Sequence, residues 1–304
     1  SRRQHPSCLR RALHGMERLP RPVPRLGASL HGALVPFQWL RFLDRRHRGA
    51  DGGLSVSSVS VRGSHGPRSY FMKIIDLTVL KDQQKMTALF EHYFRYWGKP
   101  NSCIIQAYPV SRIQYLRNLA LSRLPIIEKR FHETGLPLDC ITVALMVGQG
   151  TSNCHALLME HSVLVWLALE SYASKKQMDV FFAHEIGHGL HYLANPDFFF
   201  NSREEKNHIG RQIITEGIAT YITEQVMHFL PEDALWADYV ESADKKKWVD
   251  SCTRKMPRLL TFVRTHWRDT DGSALDLFYA NDPMNIFKYR AGYFLGRQII
   301  HSFV

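Results

Sequence analysis

The chain has 304 residues, 45% hydrophobic and 22% charged, enough for one large domain or two small ones around a sizeable core. Its net charge of +11 suggests a polyanion binder until it is located: residues 1–71 hold thirteen arginines, no lysine and three acids, so the other 233 residues carry only +1. Nucleic-acid binding is thereby not expected of the globular part, and no apolar run reaches the ~18–20 residues of a membrane span, so no membrane partner is expected either.

Residues 1–71 are rich in Arg, Pro, Gly and Ser without a period of 2 or 3.6, which reads as disordered or extraneous sequence. Regular apolar spacing and lysines begin together at Met72, so Met72 is taken as the biological start and the leader as an upstream translation artefact. The rival reading is an Arg-rich, acid-poor targeting presequence. The five cysteines, 8, 103, 140, 154 and 252, are scattered, odd in number and without C-x-x-C spacing. They read as free thiols in a reducing compartment, and the expected location is cytoplasmic.

From Met72 onward the periodicity predicts a helix over 82–97 and a longer one over 111–133, with Pro125 placed to kink or split it. Short apolar runs at 141–147 and 163–169, with 155–159 between them, predict a small sheet, whose edge strand can hold an extended peptide by main-chain pairing. A helix follows over 175–194, closed by Asn195-Pro196. Its stripe of Phe182, Ile186, Leu190 and Leu193 is predicted to be buried, and its stripe of His184, His188 and His191 to be presented on the other side. Phe198 to Phe200 read as core or pocket wall, and a further helix is predicted over 208–229. Helical patterns resume from 231 through Trp248 and over 253–267, with Lys245 to Lys247 read as a solvated face. Residues 269–283 read as loop, and a last helix runs from about 289 to Phe303, where Gly292 and Gly296 allow close approach to a neighbour.

The chemistry is concentrated in Ala183-His-Glu-Ile-Gly-His188. Residues four apart share a helix face, so His184 and His188 can turn ring nitrogens toward one Zn²⁺, with Glu185 beside the metal as proton acceptor. Glu216, twenty-eight residues later, lies in line with Ile209, Ile213 and Thr220 on an apolar face. A carboxylate there is costly unless a cation meets it, and zinc would be that cation. His191 is a rival third ligand, but three ligands along one straight helix converge poorly on a tetrahedral ion. Cys154-His155 is discounted as a nucleophilic pair, because adjacent strand residues point to opposite faces.

With Thr215-Glu-Gly-Ile-Ala-Thr220 and the terminal Ala291-Gly-Tyr-Phe-Leu-Gly296, these motifs resemble the gluzincins. More narrowly, they resemble the bacterial predicted zinc-dependent proteases grouped as domain of unknown function 2268. The resemblance spans about residues 138–303 and implies an α+β, zincin-like catalytic domain over 72–304, with a small mixed sheet before the active-site helix and a mostly helical C-terminal part. It implies His184, His188 and Glu216 as zinc ligands and Glu185 as general base in hydrolysis of a peptide or protein substrate. Tyr293, or Tyr289, is the expected oxyanion stabiliser. The Asp that some gluzincins place four residues after the ligand glutamate is Thr220 here, which weakens the support for the histidines. Two other readings stay open: a non-catalytic zinc-binding or regulatory module, and a metal-free helical protein with structural histidines.

Overall fold

The computed structural model describes residues 72–78, 108–148, 153–159 and 162–304. The Arg-rich leader and the helix expected over 82–97 lie outside these residues. Four strands form one mixed sheet: β1 (Lys73–Asp76), β2 (Ile141–Met146), β3 (Cys154–Met159) and β4 (Ser162–Ala168), in the order β1-β2-β4-β3. Strands β1, β2 and β4 run parallel, while β3 pairs antiparallel with β4 from Cys154↔Leu167 to Met159↔Ser162, at the edge. The central strands β2 and β4 are buried along nearly their whole length, which explains why they read as continuous apolar runs rather than as alternation.

Helix α1 (Val110–Glu133) runs unbroken through Pro125, so this residue does not split it. Pro125 is on the exposed side of the helix, where water can take the carbonyl its missing N–H leaves over. Helix α2 (Lys175–Ala194) is capped by the Ser174 side chain, which accepts from the Gln177 N–H at 3.1 Å. It packs against β3, β4 and α1, and a bidentate Arg123–Asp179 pair at 2.7 Å ties it to α1. Its histidine face is buried rather than presented: His184, His188 and His191 are 7%, 5% and 3% exposed. Helix α4 covers it, so both faces of α2 are interior.

The C-terminal half is helical throughout: α3 (Arg203–Asn207), α4 (Ile209–Met227), α5 (Pro231–Trp236), α6 (Ser242–Arg254), α7 (Met256–His266), α8 (Asp276–Tyr279) and α9 (Ala291–Phe303). Two expectations change here. The stretch 269–283 contains the short α8, whose Leu277 and Phe278 are buried. Lys245 is not part of a solvated face: it is 3% exposed and its ammonium donates to Asp233 at 2.6 Å and to the Ala237 carbonyl at 2.5 Å. It thereby secures the reversal between α5 and α6, where Ala237 takes a positive φ of 49°.

Two hydrophobic cores result. One joins the sheet, α1, α2 and the C-terminal half of α4, from Ile218 to Val226. The other joins Ile209 and Ile213 of α4 with α6, α7, α8 and most of α9. Helix α4 passes from one to the other, and Glu216 sits at the changeover.

Small residues set the spacing across this seam. A Cβ on Gly187 would meet Ala219 Cα of α4 at 3.3 Å, and a Cβ on Gly217 would meet the Gly296 carbonyl carbon of α9 at 2.4 Å. Beside that contact, Arg297 of α9 grips Glu224 of α4 with two hydrogen bonds of 2.7 and 2.6 Å, the side chains only 8% and 11% exposed. Arg297→Ala leaves the largely buried Glu224 carboxylate without its cation, and is expected to lower the unfolding free energy by about 3 kcal/mol in urea titration.

Candidate metal centre

The helical spacing of α2 places the rings of His184 and His188 edge to face, centroids 4.6 Å apart. Across the seam, α4 brings Glu216 Oε2 to 3.1 Å from His184 Nε2 and 3.3 Å from His188 Nε2, with Glu216 7% exposed. Two donors each ~2.0–2.1 Å from one tetrahedral ion stand about 3.3 Å apart. Glu216 Oε2 therefore stands at ligand-to-ligand spacing from each of the two nitrogens. His184, Glu185 and His188 also offer ligand atoms within 4.8 Å of one another, so Glu185 borders the same point. The buried His184-Glu185-His188 group could hold a metal ion, and the Glu216 carboxylate lies within hydrogen-bond distance of both histidines.

The protonation of the cluster agrees with that role. Burial would raise the Glu216 carboxyl, but the two imidazoles outweigh it and hold the group well below the usual carboxylate range. Burial pulls His184 below its ordinary value against the opposing hydrogen bond from Glu216. For His188, burial is outweighed by the charges of Glu216 and Glu185, and its value is raised. An ionised carboxylate beside two buried imidazoles is a place that a cation could occupy.

His191 takes no part in this. Its ring lies against Phe198, 4.9 Å away, and neither ring nitrogen has a partner among the described residues. Burial, with His188 adding to it, pushes its pKa down to about 3, so it is a neutral core residue. Support for His188 comes from packing, its ring stacked on Tyr192 at 5.7 Å, since its Nδ1 finds no partner among the described residues. Thr220 gives the histidines no hydrogen-bonding support: its hydroxyl is buried and without a hydrogen bond among the described residues.

A cavity of about 470 Å³, within the range of small-molecule sites, opens beside Glu185 and Glu216. The start of edge strand β3 forms part of its wall through Asn153, Cys154 and His155. Tyr293 and Tyr289 both line it. The Tyr293 ring centroid is 6.1 Å from that of His184. Burial, with the charge of Glu216 adding to it, pushes the Tyr293 hydroxyl far above its ordinary value, so it stays a proton-bearing donor. Cys154 also borders the cavity, but burial raises its thiol well above the ordinary value, which argues against a thiolate nucleophile.

Lys206, Trp236 and Arg290 line the cavity too, and none was singled out from sequence. Lys206 lies in the Arg203 to Lys206 run and reads as a surface charge, while the site of Arg290 depends on a positive φ of 57° that sequence does not announce. Comparison of the chain with protein-family models, curated proteins and solved structures gave no match. Among the described residues, no helix is long and apolar enough to cross a membrane, and Cys140, Cys154 and Cys252 are free thiols.

Proposed function

We propose that the protein is a zinc-dependent hydrolase, a metallopeptidase of gluzincin type on a zincin-like α+β domain. The observation that carries this reading is the position of Glu216 Oε2, 3.1 and 3.3 Å from the Nε2 atoms of His184 and His188, contributed by a separate helix. His184, His188 and Glu216 would hold the ion. Two nitrogens and one carboxylate oxygen suit zinc, and three protein ligands leave a position open, as catalytic sites require. Zinc supplies Lewis acidity there, polarising a carbonyl and acidifying water.

The chain's own residues supply the rest. Glu185 follows His184 directly on α2 and lines the cavity, and its carboxylate would take a proton from the attacking water and return it to the leaving nitrogen. Tyr293 offers a hydroxyl donor to the oxygen that gains charge. Strand β3, last in the sheet among the described residues and with its first residues on the cavity, is the strand along which an extended peptide would lie. These placements favour catalysis over a purely regulatory zinc module.

The test is metal analysis of the purified protein, where about one equivalent of zinc per chain is expected. Glu216→Ala should weaken that binding by more than the ~10–100-fold seen when only the support of a ligand is removed. Zinc retained at wild-type affinity in Glu216→Ala would falsify the ligand set.

A further inference from the structure

Arg290 brings to the cavity a chemistry that peptide hydrolysis alone does not call for. Its backbone is left-handed, at φ 57° and ψ 15°, a conformation uncommon outside glycine and asparagine. Its guanidinium lies between two rings, Cζ 4.4 Å from the centroid of Tyr293 and 5.0 Å from that of Trp236. One Nη2 donates to the Leu235 carbonyl at 3.1 Å, and Arg290 makes no ion pair among the described residues. A guanidinium has five N–H donors, so a fork remains for a planar two-oxygen acceptor.

The surroundings favour the same ligand. Lys206 is a second cation on the cavity, opposed by Glu185 and Glu216. A divalent ion held partly by Glu216 would leave the interior net positive. Beside Trp236 and Phe278, the cavity is lined by the neutral polar groups of Asn153, Asn281 and Tyr279. The guanidinium is also close to the ligands. Tyr293, in contact with it, is 6.1 Å from His184 by ring centroid, so the separation is at most about three residues of extended chain at ~3.4 Å each.

The geometry points to a carboxylate-binding subsite: Arg290, with Lys206 on the same cavity, holds a substrate carboxylate within about three residues of the bond that is cut. The anion site stands on Arg290 itself, while its relation to a cut bond rests on the hydrolase reading above. The carboxylate is either a C-terminal α-carboxylate or an Asp or Glu side chain.

Calorimetric titration separates these sources with four probes: N-acetyl-trialanine as free acid and as amide, and N-acetyl-Ala-Glu-Ala amide against its Gln counterpart. Each is titrated into the protein as purified and after chelation, so that a carboxylate on the metal is told apart from one on Arg290. At least one acid is expected to bind tenfold or more tighter than its neutral partner in both forms, and which acid does so names the source. The gap should close to under twofold in Arg290→Gln. Arg290→Lys, which keeps the charge, should retain part of it and guards against misfolding of the first variant. Equal binding of acids and neutral probes by wild type, or a full gap in Arg290→Gln, overturns the subsite. Mass-spectrometric digestion of the same peptides keeps the two readings distinct. Acid-selective binding without Glu185-dependent cleavage removes the hydrolase and leaves the anion site, whereas Glu185-dependent cleavage without acid preference does the reverse.

Discussion

Glu185→Gln is expected to keep its zinc and to lose about 10²–10⁴-fold in turnover. The substitution preserves shape, and the proposed ligand set of His184, His188 and Glu216 does not include it, so the metal should stay in place. What disappears is the proton acceptor. A carboxamide can hydrogen-bond a water but cannot take its proton, so any reaction that depends on deprotonating water inside this cavity slows by the general-base contribution. The measurement pairs elemental analysis with cleavage of a mixed peptide pool read by mass spectrometry. Turnover equal to wild type removes Glu185 from the chemistry; metal lost along with activity would make it a ligand rather than a base.

The second large effect is expected far from any reacting atom. A methyl group on Gly296 would stand 2.3 Å from the Ile213 carbonyl oxygen and 2.9 Å from Gly217 Cα, both backbone atoms that no rotamer change can move. Helices α4 and α9 would have to separate, and Gly296→Ala should cost about 3 kcal/mol or more, the upper end for overpacking a close contact. Gly135→Ala is the matched control. Gly135 has a positive φ of 74° but nothing within 4 Å of a built Cβ, so only backbone strain of about 1–2 kcal/mol is at stake. Chemical denaturation of the two variants should rank them in that order. Because α4 carries Glu216 and α9 carries Tyr293, Gly296→Ala should also weaken metal retention, whereas Gly135→Ala should leave it unchanged.

Much of this was legible in the chain. Strands β2 and β4 announced themselves as apolar runs because they are interior on both faces, and α2 falls at 175–194 because Ser174 caps it and Asn195-Pro196 stops it. The approach of Glu216 to the two histidines also follows a readable cue, a carboxylate set in line with Ile209 and Ile213. Hidden from sequence was what depends on the contact between helices. The burial of the histidine face comes from α4, which no period within α2 reports. Lys245 sits in a run of three lysines and differs from its neighbours only in meeting Asp233 and the Ala237 carbonyl. Gly187, Ala219 and Gly217 stand inside the motifs themselves, and their purpose, spacing one helix from the next, shows only in three dimensions.

The seam through Glu216 gives a bound ion a mechanical role. His184 and His188 belong to the side of the protein built on the sheet, while Glu216 stands where α4 crosses into the second core. An ion shared by the three would fasten one half to the other, and its binding energy would add to the cohesion of both. Stripped of metal, the halves lose that link and should melt with less cooperativity; loaded, they should melt as one unit, at a temperature that rises with free zinc.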